Sequence, residues 1–212
     1  MAALAPLALC AQTLVINRAA GGLAPVAQIV ERPKGAYADS FRIGGNGEVW
    51  MIEAIRVWAM PAASPACPKE LGQQVEKVTL YGALDNPPVP GVPVCDCHAL
   101  VALAEAPLST GGASLNPNVT FTPENYAYRI DFRNVRWSIP GDSEALFTVR
   151  ATPRRQSSPA CPAASGWALA AMPAQPGYRL HLLNEKGVPV GLEEPQRQPR
   201  IVNIQVWARR TQ

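Results

Sequence analysis

Four segments of the chain alternate between apolar and polar side chains with a period of two residues. This pattern is typical of β-strands that bury one face and expose the other. No segment sustains a helical period. The chain is therefore predicted to be all-β, an antiparallel two-sheet sandwich of the jelly-roll type with about eight to ten strands. The four segments are Val75–Leu84, Tyr126–Ile139, Ala145–Arg150 and Ile201–Arg209.

Two strands contain a change of phase. Before Arg133 the apolar side chains of one strand share a phase, and from Val135 to Ile139 they follow the opposite one. One extra residue at Arg133–Asn134 would let both halves face the core, which predicts a β-bulge there. The segment Glu48–Met60 is apolar in both phases. It is either a central strand covered on both sides or two strands joined by a bulge.

Turn residues suggest how some strands connect. Pro140–Asp142 is a tight turn, so Trp137–Ile139 and Ala145–Val149 are predicted to form a hairpin. His98–Glu105 fits a strand or a short helix equally well. The last strand places Val202, Ile204, Val206 and Ala208 on an apolar face and Asn203, Gln205, Trp207 and Arg209 on a polar one.

The composition indicates one domain, residues 12–212. The chain has 212 residues, 48% of them hydrophobic, with 22 prolines and 16 glycines. These values fit many short strands joined by turns, and they do not fit disorder. The net charge of +3 is scattered along the chain. Nucleic-acid binding needs a concentrated basic stripe, so no nucleic-acid partner is predicted.

The N-terminus indicates export. Residues 1–11 are apolar and end in small residues, as a signal peptide does. They lack the charged region that begins a signal peptide, which is expected if this segment is a truncated signal peptide. Two alternatives are a first apolar strand and lipid attachment at Cys10, although Leu9 departs from the lipidation motif. The stretch is too short to span a bilayer, so no transmembrane segment is predicted.

Four cysteines remain after residue 11, and all lie in proline-rich loops. An even number in a secreted chain predicts disulfides. Two sit in identical Ser-Pro-Ala-Cys-Pro segments, and each of these is expected to pair with one member of the Cys-Asp-Cys motif, in an order that the sequence leaves open. The competing interpretation is a metal site at Cys95, Cys97 and His98, but no metal or cofactor is predicted. The four cysteines are Cys67, Cys95, Cys97 and Cys161.

The sequence contains no serine-hydrolase elbow, zinc-protease helix, phosphate loop or dinucleotide motif. No catalytic residue is therefore predicted. Glu53 and Asp131 are the pair to test for glycoside hydrolysis, because both stand in mid-strand among aromatic residues. The ordinary alternative is a salt bridge to Arg56 or Arg129.

Two of the five tryptophans are predicted ligand contacts. Trp207 lies on the polar phase of the last strand, and Trp167 follows Ser165–Gly166 in an irregular stretch. Aromatic faces bind the apolar faces of sugar rings. The alternative for Trp167 is a plug over an open end of the core.

Three segments, VWMIEAIRVWAM, YRIDFRNVRWSIPGDSEALFTVR and IVNIQVWARR, resemble strands of secreted bacterial β-sandwich domains from exported or surface proteins. The resemblance implies a secreted, periplasmic or cell-surface protein. The leading hypothesis is a non-enzymatic module that binds a glycan or an extracellular or envelope protein. The alternatives are a self-assembling structural subunit, whose segment Gln12–Asn17 completes a neighbour's sheet, and a glycoside hydrolase.

Overall fold

The computed structural model describes residues 12–18, 24–28, 37–61, 72, 75–85, 100–108, 119–122, 127–154, 167–173, 180–184, 189–192 and 200–211. Within these ranges the chain forms two antiparallel sheets. The strands are β1 (Thr13–Asn17), β2 (Ala24–Gln28), β3 (Tyr37–Phe41), β4 (Val49–Pro61), β5 (Val75–Asp85), β6 (Val101–Pro107), β7 (Val119–Thr122), β8 (Ala127–Pro140), β9 (Glu144–Pro153), β10 (Trp167–Pro173), β11 (His181–Leu183), β12 (Pro189–Leu192), β13 (Arg200–Val202) and β14 (Ile204–Arg210).

The eight-stranded sheet is organised around β4. This strand pairs with β8 along one edge and with β14 and then β10 along the other. The six-stranded sheet has the order β12-β11-β3-β9-β5-β6. The predicted all-β two-sheet sandwich is confirmed. The strands outnumber the prediction because several, such as β12 and β13, are too short to show a period of two in the sequence.

Apolar side chains from both sheets meet in one core. Phe41 of β3 belongs to this core, and its ring centroid lies 6.0 Å from that of Trp137 on the opposite sheet in an edge-to-face contact. The ring centroid of Phe147, on the neighbouring strand β9, lies 5.8 Å from that of Phe41. Both phenylalanines are fully buried. The contact between Phe41 and Trp137 joins the two sheets where β8 pairs with the first part of β4.

A line of bulges crosses the large sheet. On β14, the adjacent residues Trp207 and Ala208 pair with Ala54 and Ile52 of β4, so Glu53 is an extra residue. Ile52 and Ile55 are both fully buried, which shows that the inward phase of β4 changes at this point. The structure combines parts of the two alternatives for this segment, because it has one continuous strand, as in the first, with a bulge at Glu53, as in the second.

The bulge on β8 is wider than the one on β4. Ile52 and Ala54 of β4 pair with Trp137 and Arg133 of β8, which leaves residues 134–136 opposite the single residue Glu53. The predicted bulge at Arg133–Asn134 is confirmed, with two additional residues on β8 where one was expected. Asn134 and Arg136 have φ angles of 57° and 53°, in the left-handed region that non-glycine residues seldom adopt.

The predicted hairpin between β8 and β9 is wrong. β8 pairs with β4 and β7, whereas β9 pairs with β3 and β5 in the other sheet. The turn at Gly141 therefore carries the chain from one sheet to the other. Its backbone N–H groups bond to the connection between β3 and β4, with Gly141 donating to Glu48 at 2.7 Å and Asp142 donating to Ile43 at 3.1 Å.

The final strand is interrupted at Asn203. Ile204 pairs with Val57 of β4, but Val202 pairs with Ala171 of β10, so Asn203 lies where one pairing gives way to another. Val202, Ile204, Val206 and Ala208 are all buried, as predicted. The placement of Asn203 on the exposed face is wrong, because its side chain is completely buried. The phase rule fails there since the strand is not continuous.

Several predictions concern residues outside the described ranges. They are the signal peptide at residues 1–11, the disulfides of Cys67, Cys95, Cys97 and Cys161, and the alternative metal site that includes His98. These remain predictions. The segment His98–Glu105, which the sequence left open, contributes its second half to strand β6. Among the described residues, no helix has the length and hydropathy needed to cross a membrane.

Candidate functional site

A ladder of four polar side chains crosses the large sheet on the face away from the core. Asn17, Gln205, Arg56 and Asp131 occupy directly opposed positions on β1, β14, β4 and β8. Gln205 donates to Asn17 Oδ1 at 3.0 Å, and Arg56 Nη1 donates to Gln205 Oε1 at 3.0 Å. Cross-strand register therefore fixes each of these side chains through its neighbour.

Asp131 lies at one end of this ladder and contacts two guanidinium groups. Arg56 Nε donates to Asp131 Oδ1 at 2.5 Å and Nη2 donates to Oδ2 at 3.3 Å. Arg129 Nε lies 3.6 Å from Oδ2. The side chain of Asp131 is only 8% exposed. The predicted salt bridge between Asp131 and these arginines is thus present, and the two-pronged geometry gives it a fixed orientation.

Trp207 lies beside the ladder, on the polar phase of β14 as the sequence predicts. The Arg56 guanidinium carbon is 4.9 Å from the centroid of the Trp207 ring, which is a cation–π contact. The indole is half-buried. Since Asp131 and Gln205 already hold Arg56, this contact also restricts the orientation of the indole.

A half-open groove of about 530 Å³ follows the line of bulges next to Trp207. Backbone irregularity opens the surface here, because the extra residues on β4 and β8 interrupt the regular pleat. Trp207 supplies the aromatic surface of the groove. Its polar lining side chains are Gln12, Glu53, Arg56, Asp131, Arg133 and Asn134.

The structure brings the two candidate acids of a glycoside hydrolase, Glu53 and Asp131, into this one groove. Each is engaged by arginine. Arg209 Nε donates to Glu53 Oε1 at 2.7 Å, and both oxygens of Asp131 accept from Arg56. A general acid needs a proton on an oxygen that can reach the leaving group. Asp131 offers no such oxygen while it accepts both hydrogen bonds.

Two polar residues of the groove are not engaged in this way. Arg133 and Asn134 are exposed. The side chain of neither residue forms a hydrogen bond or ion pair with any residue in the ranges that the structure describes. The sequence located both residues as the site of a bulge, but it gave no indication that the bulge opens a groove. That consequence depends on the register of β4 and β14.

Trp167, the second predicted ligand contact, is not in an irregular stretch. It is the first residue of β10, and its backbone pairs with Pro61 at the end of β4. The position of its side chain lies outside what the structure describes. The backbone of Trp167 pairs at the end of β4, whereas that of Trp207 pairs with Ala54, and the ligand role of Trp167 remains a prediction.

A second polar cluster lies between the sheets. Asp39 of β3 is buried, and its two carboxylate oxygens accept from the backbone N–H groups of Ser40 at 2.6 Å and Val202 at 2.7 Å. Arg18 Nη1 lies 3.5 Å from Asp39 Oδ2. Burial raises the pKa of Asp39 to about 6, although Arg18 and the two backbone donors oppose this shift.

Beside Asp39, a serine, a carboxylate and a histidine come together on three strands of the six-stranded sheet. Ser40 Oγ donates to Glu144 Oε1 at 2.6 Å, and His181 Nε2 lies 3.6 Å from that oxygen. A nucleophilic serine is activated by an imidazole next to its hydroxyl, with the carboxylate behind the imidazole. Here the carboxylate stands between the other two groups, so the arrangement is that of a structural hydrogen-bond cluster.

Among the described residues, no three His, Cys, Asp or Glu side chains come together as metal ligands. No family model and no curated protein matches the chain. Among solved structures, the chain is similar to the cysteine protease and lectin-like domains of Cwp84, a surface layer associated protein of Clostridium difficile. The identity is 14% and the TM-score 0.43, and the match covers 82% of this chain and 31% of that chain. No residue or activity is transferred from it.

Proposed function

We propose that the protein is an exported, non-enzymatic module that binds a glycan in the groove beside Trp207. The observation that carries this proposal is the composition of the groove. One half-buried tryptophan lies among carboxylate, guanidinium and amide side chains that line the same groove. Saccharides present apolar C–H faces and rows of hydroxyls, and such a combination of aromatic and hydrogen-bonding groups complements both.

The ladder supports binding because it holds groove residues in place before a ligand arrives. Arg56 and Asp131 are each fixed by contacts within the sheet, and Arg56 also contacts Trp207. A ligand then loses less free energy to the ordering of side chains than it would on a mobile surface. Hydroxyl groups can use the lone pairs and N–H groups that the ladder leaves unoccupied.

The test is a screen of neutral, uronic-acid and sulfated oligosaccharides by calorimetry and tryptophan fluorescence. Replacing Trp207 by leucine is expected to weaken binding at least tenfold, while Trp207→Phe keeps part of the affinity because a flat ring remains. Arg136→Gln serves as the control, since Arg136 is exposed on the same bulge but does not line the groove. The proposal fails if wild-type protein binds no oligosaccharide of the panel, or if Trp207→Leu binds as tightly as wild type.

Export is the part of this proposal that the cysteines support. Two disulfides among Cys67, Cys95, Cys97 and Cys161 would suit an oxidising compartment. Intact-mass analysis of secreted protein is expected to show a gain of four hydrogens on reduction and the loss of residues 1–11. Four reduced cysteines with bound zinc would instead favour the Cys95, Cys97 and His98 site and remove the argument for export.

The glycoside hydrolase is the alternative that a specific observation favours, because Glu53 and Asp131 line one groove. It predicts hydrolysis of a bound oligosaccharide that is lost in both Glu53→Gln and Asp131→Asn. The non-enzymatic proposal predicts binding without turnover. Product analysis by mass spectrometry after prolonged incubation separates the two.

The structural-subunit hypothesis required Gln12–Asn17 to complete a neighbour's sheet. In the structure Thr13–Asn17 pairs with β14 of the same chain. To complete a neighbour's sheet, this strand would therefore first have to separate from β14. Size-exclusion chromatography with light scattering tests the hypothesis, since a discrete large oligomer would favour assembly over glycan binding by a monomer.

A further inference from the structure

The charges around the groove are not balanced. The guanidinium groups of Arg56, Arg129, Arg133 and Arg209 lie in or beside it, against the carboxylates of Glu53 and Asp131. Arg56 and Arg129 contact Asp131, and Arg209 contacts Glu53. Four guanidinium groups against two carboxylates leave two positive charges in excess, and Arg133 is the arginine of this set that has no carboxylate partner among the described residues.

Arg133 differs from the other three arginines in its surroundings. It lines the groove and is exposed, and it forms no ion pair with any carboxylate of the described residues. A guanidinium group presents a planar fork of N–H donors that matches a carboxylate or sulfate through two parallel hydrogen bonds. An arginine that has no acid of its own in a groove is suited to an acid on the ligand.

The bulge brings a second donor to the same place. In a regular strand, Arg133 and Asn134 would point to opposite faces of the sheet. Here both are exposed and both line the groove, with Asn134 in a left-handed conformation. The conformation of β8 thus brings a guanidinium and an amide from adjacent residues to one groove.

We propose that the groove is specific for an acidic saccharide, whose carboxylate or sulfate group is bound by Arg133 with Asn134 as an additional donor. This inference rests on the proposed glycan-binding function and specifies its ligand class. Trp207 contacts the sugar ring, while Arg133 selects the charge. The affinity then has an electrostatic part that falls as salt is added.

The experiment compares three probes by calorimetry at low and at physiological salt. They are oligogalacturonate, the same oligosaccharide with its carboxyl groups reduced to alcohols, and a chondroitin sulfate oligosaccharide. Wild-type protein is expected to bind at least one acidic probe about tenfold more tightly than the reduced one. Oligogalacturonate carries carboxylates only, so its binding would show that a carboxylate is sufficient. Chondroitin sulfate carries both carboxylates and sulfates, so a preference for it would indicate that sulfate adds to recognition.

Two variants and one control identify the residues. Arg133→Gln is expected to lower the affinity for the preferred acidic probe about tenfold and to change the affinity for the reduced probe by less than twofold. Asn134→Gly keeps the left-handed backbone and removes the amide, so a loss of a few-fold is expected. Arg136→Gln removes the same charge from an exposed position that does not line the groove, and it is expected to leave all three affinities unchanged.

The outcomes separate this inference from the function on which it rests. Equal binding of acidic and reduced probes, with loss of both in Trp207→Leu, would keep the glycan function and overturn the acidic specificity. If Arg133→Gln and Arg136→Gln weaken binding of the acidic probe equally, the preference comes from the overall positive charge of the protein and not from Arg133. That result would also overturn the proposed specificity. If the protein binds none of the three probes and no other oligosaccharide of the screen, both proposals are overturned.

Discussion

Arg56 and Asp131 are directly opposed on β4 and β8, and their side chains form two parallel hydrogen bonds of 2.5 and 3.3 Å. The pair is shielded, with the Asp131 side chain 8% and the Arg56 side chain 25% exposed. An ion pair this close to the interior is costly to break from one side, because the remaining charge keeps its desolvation and loses its partner.

Replacing Asp131 by alanine is therefore expected to lower the free energy of unfolding by about 2 kcal/mol, less than for a fully buried pair because Arg56 keeps some water contact. Urea unfolding followed by tryptophan fluorescence measures the loss. In the double variant with Arg56→Met, the combined loss should be smaller than the sum of the two single losses. Strict additivity would show that the pair contributes no coupling.

The left-handed residues of β8 lead to a second prediction. Arg136 has a φ of 53°, a conformation that costs a non-glycine residue about 1 kcal/mol. Ser138 is exposed on the same strand, and no left-handed φ is found there. Glycine at position 136 should relieve the strain, whereas glycine at position 138 should only add chain entropy to the unfolded state.

The free energy of unfolding of the Arg136→Gly variant is thus expected to exceed that of the Ser138→Gly variant by about 1 kcal/mol. Thermal unfolding of the two variants beside wild type gives the comparison. Equal destabilisation would mean that the strand passes through residues 134–136 without the left-handed turn. The width of the β8 bulge would then have to be revised.

The sequence was most informative where a strand is continuous. The alternation on β14 identified the buried residues Val206 and Ala208 and the outward position of Trp207. The change of phase near Arg133 located the bulge on β8. Periodicity reports the local inside and outside of a strand, and these features are local.

Features that depend on the partners of a strand could not be predicted in this way. The turn at Gly141 looks like a hairpin turn, yet the chain changes sheets there. Asn203 follows the outward phase, yet it is buried where pairing passes from β4 to β10. The groove also belongs to this class, because it needs three strands with different numbers of residues between matched pairs. The side-chain pattern of a single strand does not show how many residues its partner strands place between the same matched pairs.

The turn at Gly141 gives a third prediction because it is packed against the connection between β3 and β4. A Cβ atom on Gly141 would lie against the carbonyl oxygen of Gly45, well inside van der Waals contact. The atom in the way belongs to the backbone and cannot move aside as a flexible side chain would. A Cβ atom on Gly45 would meet nothing within 4 Å.

Gly141→Ala is accordingly expected to destabilise the protein by about 2–3 kcal/mol, since the two connections between the sheets must separate. Gly45→Ala, its partner in the contact, should change stability by less than about 0.5 kcal/mol. Chemical denaturation of the two variants provides the measurement. Similar values for both would argue against the close approach of the two connections.

A fourth prediction concerns Asp39, which bonds to the backbone of Ser40 and, across the sandwich, to that of Val202. Its pKa is raised by burial from 3.8 to about 6 in the folded protein, with Arg18 acting in the opposite direction. Between these two values the folded state binds the proton and the unfolded state does not. The stability due to this proton is therefore complete below pH 4 and is lost as the pH rises toward 6.

The contribution of Asp39 is isolated by comparison with Asp39→Asn, which does not titrate at this position. The difference in free energy of unfolding, wild type minus variant, is expected to decrease between pH 4 and pH 6 by at most about 1 kcal/mol per pH unit and to level off above that range. Urea unfolding at half-unit intervals of pH measures it. A difference that increases with pH would mean that Arg18 and the two backbone donors outweigh burial, and that the ionised carboxylate is the favoured form inside the sandwich.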